Sequence, residues 1–158
     1  MKIIDRRYIE GYVALLEILL VEDSVSEAEL TRRALQKCGF KVQVDHAQDG
    51  VEAIEYLEDK MQGFERRLPD LILLDLKMPR LNGFDFLKRL RSNDSLKHLV
   101  VVVLTTSGRD EDVLSSYQEG ANAYIAKPVE LDRFYEVIQA MGCFYYSVAK
   151  RPPPVVPS

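Results

Sequence analysis

Two short apolar runs, Ile18–Val21 and Leu71–Leu74, each end at an acidic residue, and this pattern constrains the fold more than any other feature of the chain. An apolar run without polar alternation reads as a strand covered on both faces, the mark of a parallel sheet flanked by helices. Val-rich Leu99–Leu104 is a third such run and leads into Thr105-Thr106-Ser107. Lys41–His46 and Ala123–Ala126 are weaker strand candidates.

Helical patterns separate the strands. Val25, Ala28, Leu35 and Cys38 fall near one face, and Gly39 is a stop signal. Asp49 can cap a second helix with an inner face of Val51, Ile54, Leu57 and Met61. Phe84, Leu87 and Leu90 mark a third, and Val113, Leu114 and Tyr117 before Gly120 a fourth. Leu131, Phe134, Ile138 and Met141 mark the fifth. Strand and helix therefore alternate five times. Right-handed crossovers turn this order into an α/β doubly wound, five-stranded parallel sheet with five helices, whose crevice lies outside the carboxyl ends of the strands.

Composition excludes several functions. With a net charge of −4 and only short Lys/Arg pairs such as Arg66-Arg67 and Lys150-Arg151, the chain lacks the basic face of a nucleic-acid binder. Leu15–Val21 is interrupted by Glu17, so neither a secretory signal nor a membrane span is expected, and a cytoplasmic location follows. Cys38, Cys143, His46 and His98 are isolated from one another, which excludes zinc spacing. Both cysteines sit near apolar helix ends and read as buried free thiols.

The polar residues of interest stand at strand ends. Glu22-Asp23 follow the first strand, Asp75 the third, Thr105 ends the fourth, and Lys127 follows the fifth. Singly, each has an ordinary explanation: Asp23 a helix cap, Asp75 a turn former, Thr105 a strand end, Lys127 a solvated charge. Together they would place three carboxylates, a hydroxyl and an ammonium in one crevice. Clustered carboxylates stay ionised only beside compensating positive charge. Oxygen-only donors suit Mg²⁺ (or Mn²⁺), which favours a phosphoryl oxygen as partner. Such an ion positions a phosphoryl donor for attack by a carboxylate, with Lys127 and Thr105 serving the remaining oxygens.

These residues lie in motifs that resemble the receiver domain of two-component response regulators, a flavodoxin-like fold. ILLVEDS at Ile18–Ser24, HAQDGVEA at His46–Ala53 and PDLILLDLKMPRLNG at Pro69–Gly83 carry the resemblance. VVVLTTS at Val101–Ser107 and GANAYIAKP at Gly120–Pro128 complete it, over roughly residues 17–146. The resemblance implies that Asp75 accepts a phosphoryl group. It implies Asp23 and Asp75 as direct Mg²⁺ ligands, Glu22 acting mostly through water, and the Lys77 backbone carbonyl as a further ligand. Thr105 is then the switch hydroxyl, Lys127 the phosphoryl partner, and Tyr124 the aromatic switch. Lys77 also occupies a position whose side chain tunes phosphoryl loss in this family.

The loop Gln62–Pro69, together with Thr105–Ser107 and Gly120–Asn122, is most similar to small regulators paired with phytochrome-type histidine kinases. The expected function is a single-domain response regulator that takes its phosphoryl group from a sensor histidine kinase and signals to a downstream protein. It is a switch rather than a turnover enzyme. A phosphate-independent binding module and a receiver fragment of a longer regulator are the alternatives. An aspartyl-phosphate hydrolase of the haloacid-dehalogenase type would need an aspartate where Lys77 stands, and neither GxGxxG nor GxxxxGK[ST] occurs.

Outside the receiver region, residues 1–16 carry Ile4, Tyr8, Tyr12 and Leu16 at helical spacing and read as a helix or a flexible arm. Residues 147–158 read as a Pro-rich tail, whose final stretch Arg151–Ser158 is expected to be extended or disordered. Met141–Tyr146 is unusually aromatic, and Phe144 or Tyr145 is a candidate homodimer contact.

Overall fold

The computed structural model describes residues 2–3, 15–63, 67–153 and 155–156. Its centre is a five-stranded parallel sheet in the order β3-β2-β4-β5-β6. The strands are β2 (Leu16–Val21), β3 (Val42–Ala47), β4 (Leu71–Leu74), β5 (Val100–Thr105) and β6 (Ala123–Ala126). The connecting helices are α1 (Val25–Gln36), α2 (Gly50–Gln62), α3 (Gly83–Ser92) and α4 (Asp110–Gln118). The last helix is α5 (Leu131–Cys143). From β2 the chain passes first to β3 on one side and then to β4 on the other, so the sheet changes direction between β2 and β4. A crevice opens at the carboxyl ends of those two strands.

The central strands are apolar over Ile18–Val21, Leu71–Leu74 and Val100–Leu104 because they feed two cores. Leu19, Val21, Ile72, Leu74, Val101 and Val103 pack with Leu57, Phe86, Leu87 and Leu90 of α2 and α3. The alternate residues Ile18, Leu20, Leu71, Leu73, Val102 and Leu104 pack with Ala28, Leu35, Phe134 and Ile138 of α1 and α5. Burial of this extent is the main stabilising term, at roughly 1.5–3 kcal/mol for each fully covered aliphatic side chain.

Helix starts follow the expected cap chemistry: the side chains of Ser24, Asp49 and Asn82 accept backbone N–H bonds from Glu27, Glu52 and Asp85. Several expected core positions are not core. Val25 and Leu131 are exposed, because the first turns of α1 and α5 project beyond the end of the sheet. Leu114 and Tyr117 of α4 are also exposed, and Ser116 is the fully buried residue of that helix. Helix α4 lies against the edge strand β6, with Leu114 and Tyr117 on its outer side. Cys143 is exposed and Cys38 half-buried, both as free thiols, so the buried-thiol expectation fails at Cys143.

The helix α5 runs on into a π-helical turn, Phe144–Val148, closed by the Ala149 amide donating to the Phe144 carbonyl at 2.7 Å. Tyr146 of this turn stacks on Phe40 with ring centroids 4.2 Å apart. Beyond it the Arg151 guanidinium donates to the Leu15 carbonyl and to Asp70, each at 3.0 Å, beneath the amino ends of the strands. A short antiparallel pair joins β1 (Lys2–Ile3) to β7 (Val155–Val156). The helical spacing of Ile4, Tyr8 and Tyr12 falls outside the described residues.

Candidate functional site

The sheet register brings the strand-end residues side by side. Val21 is level with Leu74, so Glu22 and Asp75 leave the sheet together, and the Asp75 amide donates to the Val21 carbonyl at 2.9 Å. Thr105 pairs with Ala126, and the Lys127 amide donates to the Thr105 carbonyl at 2.7 Å. Carboxylate oxygens of Glu22, Asp23 and Asp75 lie within 4.8 Å of one another. Glu22 and Asp75 are buried and Asp23 is exposed at the mouth. Glu22, Asp23 and Asp75 thus come together at the carboxyl ends of β2 and β4, Lys127 reaches Glu22, and Thr105 ends the neighbouring strand β5.

The Lys127 ammonium is inside this crevice, with 7% of its side chain exposed. Its partners are Glu22 at 3.0 Å and Glu27 at 2.8 Å. Expecting Lys127 simply to face an incoming phosphoryl group overlooked Glu27, which sits in the first turn of α1. The one sequence signal for it was the Ser24-Val25-Ser26-Glu27 spacing of a capping box.

Thr105 is fully buried, and its Oγ1 has no hydrogen-bond partner among the described residues; Glu22 Oε2 is in the same condition. A buried polar atom without a protein partner leaves a place for water, an ion or another bound group. Burial, then hydrogen bonds shared with Glu27 and Asp75, push the Glu22 carboxyl up to about 9, against the pull of Lys127. Hydrogen bonds to Glu22 and Lys127 hold Glu27 low instead. Even with Glu22 protonated, the carboxylates of Asp23, Glu27 and Asp75 outnumber the one ammonium, and the all-oxygen donor set fits a hard divalent cation.

The loop after Asp75 is shaped around this site. The Gly83 amide donates to the Leu76 carbonyl at 3.0 Å, and a Cβ at Gly83 would stand 2.6 Å from the Asp75 carbonyl oxygen. Arg80 adopts a left-handed backbone, with φ of 64°, and its guanidinium grips Asp49 through two hydrogen bonds of 2.7 and 3.0 Å. The Lys77 side chain is exposed. His46 Nε2 lies 2.7 Å from the Glu22 carbonyl oxygen and fixes the turn that presents the acidic pair. Neither the Asp49–Arg80 pair nor His46 stood out as part of the site in the sequence, since the contacts span 31 and 24 residues.

Tyr124 is half-buried against the core, and its hydroxyl donates to the Ser107 carbonyl at 2.7 Å. The aromatic side chain is thus tied to the segment that follows Thr105. Burial raises the Tyr124 hydroxyl above the usual phenol range.

The response regulator receiver domain family matches residues 18–139. The chain belongs to that family. Receivers of this family are the phosphorelay signalling domains of two-component systems, and their partner is a histidine kinase. Among curated relatives, the probable methanogenesis regulatory protein FilR2 of Methanothrix harundinacea is 33% identical over 87% of this chain and 88% of its own. The response regulator Rcp1 of Synechocystis is 33% identical over 85% of this chain and 92% of its own. Among solved structures, the phosphorylated cyanobacterial phytochrome response regulator RcpA superposes with a TM-score of 0.80 at 35% identity, covering 88% of this chain and 99% of that one. A Mn²⁺-bound form of Rcp1 superposes with a TM-score of 0.77 at 33% identity, covering 87% and 99%. This receiver has no described helix long and apolar enough to cross a membrane.

Proposed function

We propose that this receiver takes a phosphoryl group onto Asp75 from the phosphohistidine of a sensor histidine kinase. The convergence of Asp75, the Glu22-Asp23 pair, Lys127 and the partnerless Thr105 hydroxyl on one crevice carries this reading. A carboxylate oxygen of Asp75 attacks phosphorus, the phosphorus–nitrogen bond of the donor breaks, and its electron pair stays with the imidazole. Mg²⁺ or Mn²⁺, held by Asp23, Asp75 and the Lys77 carbonyl with Glu22 acting through water, would supply charge neutralisation to the phosphoryl oxygens. Lys127 and the Thr105 hydroxyl serve the remaining oxygens. Water attack on the acyl phosphate later returns Asp75 and releases phosphate.

Movement of Thr105 toward the phosphoryl group pulls on the segment whose Ser107 carbonyl holds Tyr124, and the ring turns inward. The readout is protein contact on the face that includes Leu114 and Tyr117, both exposed. Similarity to the cyanobacterial phytochrome response regulator RcpA supports a phytochrome-type kinase as partner, and we place the receiver in the cytoplasm with it. Exposed Phe144, beside Tyr145 on a groove of about 350 Å³ also lined by Ile125, Ala140 and Met141, supports a homodimer contact. Light scattering that shows a monomer in both phosphorylation states removes that element. We take residues 17–146 as the receiver unit, with 1–16 and 147–158 as appended segments.

Intact mass after incubation with acetyl phosphate tests the whole reading. A gain of one phosphoryl group that needs Mg²⁺ and is lost in Asp75→Ala supports it. Absence of any gain overturns it in favour of a phosphate-independent binding module.

A further inference from the structure

The Lys127 ammonium pairs with a glutamate of α1 and makes no hydrogen bond with the Thr105 hydroxyl. It has two acceptors, Glu22 Oε1 at 3.0 Å and Glu27 Oε2 at 2.8 Å. Glu22 is a buried wall of the site, with 3% of its side chain exposed, whereas Glu27 reaches in from the first turn of α1 with 40% exposed. The turn that carries Glu27 is fixed twice. Ser24 Oγ accepts the Glu27 amide at 3.3 Å, and the Thr31 hydroxyl donates to the Glu27 carbonyl at 3.1 Å.

The Ser24-x-x-Glu27 spacing is that of a capping box, in which the glutamate normally folds back on the cap residue's own amide. Here only the serine half is made, and the glutamate side chain is directed to Lys127 instead. A helix-start device has been turned toward the crevice.

We infer that Glu27 is a positioning residue that competes with a phosphoryl group for Lys127. The inference rests on the function proposed above. An ammonium has three donors, and two are committed to carboxylates in this structure. One donor of Lys127 is left for a phosphoryl group on Asp75, and that charge-assisted bond shortens and strengthens as the ammonium is released from Glu27. Glu27 thereby lowers the stability of the phosphorylated state and shortens its lifetime, and it does so through Lys127 rather than by touching the phosphoryl group.

Beryllofluoride with Mg²⁺, a stand-in for the phosphoryl group that involves no turnover, gives the direct test by equilibrium titration of wild type, Glu27→Gln and Glu130→Gln. Glu130 is an exposed carboxylate three residues beyond Lys127, and its side chain makes no cap bond to α5. It controls for the loss of one negative charge. Glu27→Gln should bind beryllofluoride roughly two- to fivefold tighter, the range expected when a half-exposed ion pair stops competing, and Glu130→Gln should not. The acetyl-phosphate-derived phosphoprotein should persist longer in Glu27→Gln by a similar factor. A merely structural role would weaken binding, not tighten it. Equal shifts in the two variants, or no shift in Glu27→Gln, overturn the inference. Failure of the wild type to bind beryllofluoride overturns the phosphorylation reading itself.

Discussion

Replacing Thr105 by valine should make the resting protein more stable while disabling its response to a phosphoryl group. The Thr105 hydroxyl is fully buried and has no hydrogen-bond partner among the described residues. A buried polar group in that state costs about 1–3 kcal/mol. Valine has the same branched shape, suits a strand and removes the cost. The backbone role is untouched, because the Lys127 amide bonds the Thr105 carbonyl and not the side chain. The net gain should be about 1–2 kcal/mol, which for a chain of this size raises Tm by roughly 2–8 °C. Urea unfolding in the presence of a chelator measures it directly, with the slope expected to stay constant. In a second arm, Mg²⁺ and beryllofluoride should stabilise the wild type by mass action and stabilise Thr105→Val much less. A variant no more stable than wild type in the chelated state would refute the reasoning, since the hydroxyl would then be satisfied in the folded protein.

Three further perturbations test other parts of the structure. Gly83→Ala drives a methyl group to within 2.6 Å of the Asp75 carbonyl and 2.8 Å of Leu76 Cα, both backbone atoms. It should cost about 1–3 kcal/mol in chemical denaturation and slow phosphoryl uptake; unchanged stability and uptake would contradict the packing described. Arg151→Ala removes hydrogen bonds to the Leu15 carbonyl and to Asp70, whose side chain is 6% exposed, and should cost about 1–3 kcal/mol. Full retention of stability would show that this part of the tail contributes nothing. Asp49 is held below the usual carboxylate range by its hydrogen bonds to Arg80. Its contribution is therefore present above the unfolded value near 3.9 and is lost as pH falls through the lower folded value. Asp49→Asn keeps an acceptor for the Glu52 amide but does not titrate, so its stability should fall less steeply below about pH 4; parallel curves would remove the assignment.

The strands that were easiest to read are those buried on both faces. In Ile18–Val21, Leu71–Leu74 and Val100–Leu104 every side chain meets either the α2/α3 core or the α1/α5 core, so the residue type alone reports the environment. The same logic misled at helix ends. Val25 and Leu131 have the right spacing for an inner face, but spacing does not say where the sheet stops. Leu114 and Tyr117 repeat with helical period and still face outward, because α4 is set against an edge strand with Ser116 as its fully buried residue.

The crevice divides in the same way. The placement of Glu22, Asp23, Asp75, Thr105 and Lys127 was legible because each stands at a strand end, and topology alone carries strand ends of a doubly wound sheet to one edge. What each side chain touches was not legible. Lys127 meets Glu27 across 100 residues, Asp49 meets Arg80 across 31, and Tyr124 meets the Ser107 carbonyl across 17. The order of apolar runs and acidic ends was sufficient to determine a five-stranded receiver sheet with its crevice at the strand ends, because burial on two faces and chain handedness act through local residue type. Only the tertiary structure decided how the one ammonium is shared among the carboxylates and which hydroxyl is left without a partner, because hydrogen bonds depend on ångström distances between segments that the chain itself keeps far apart.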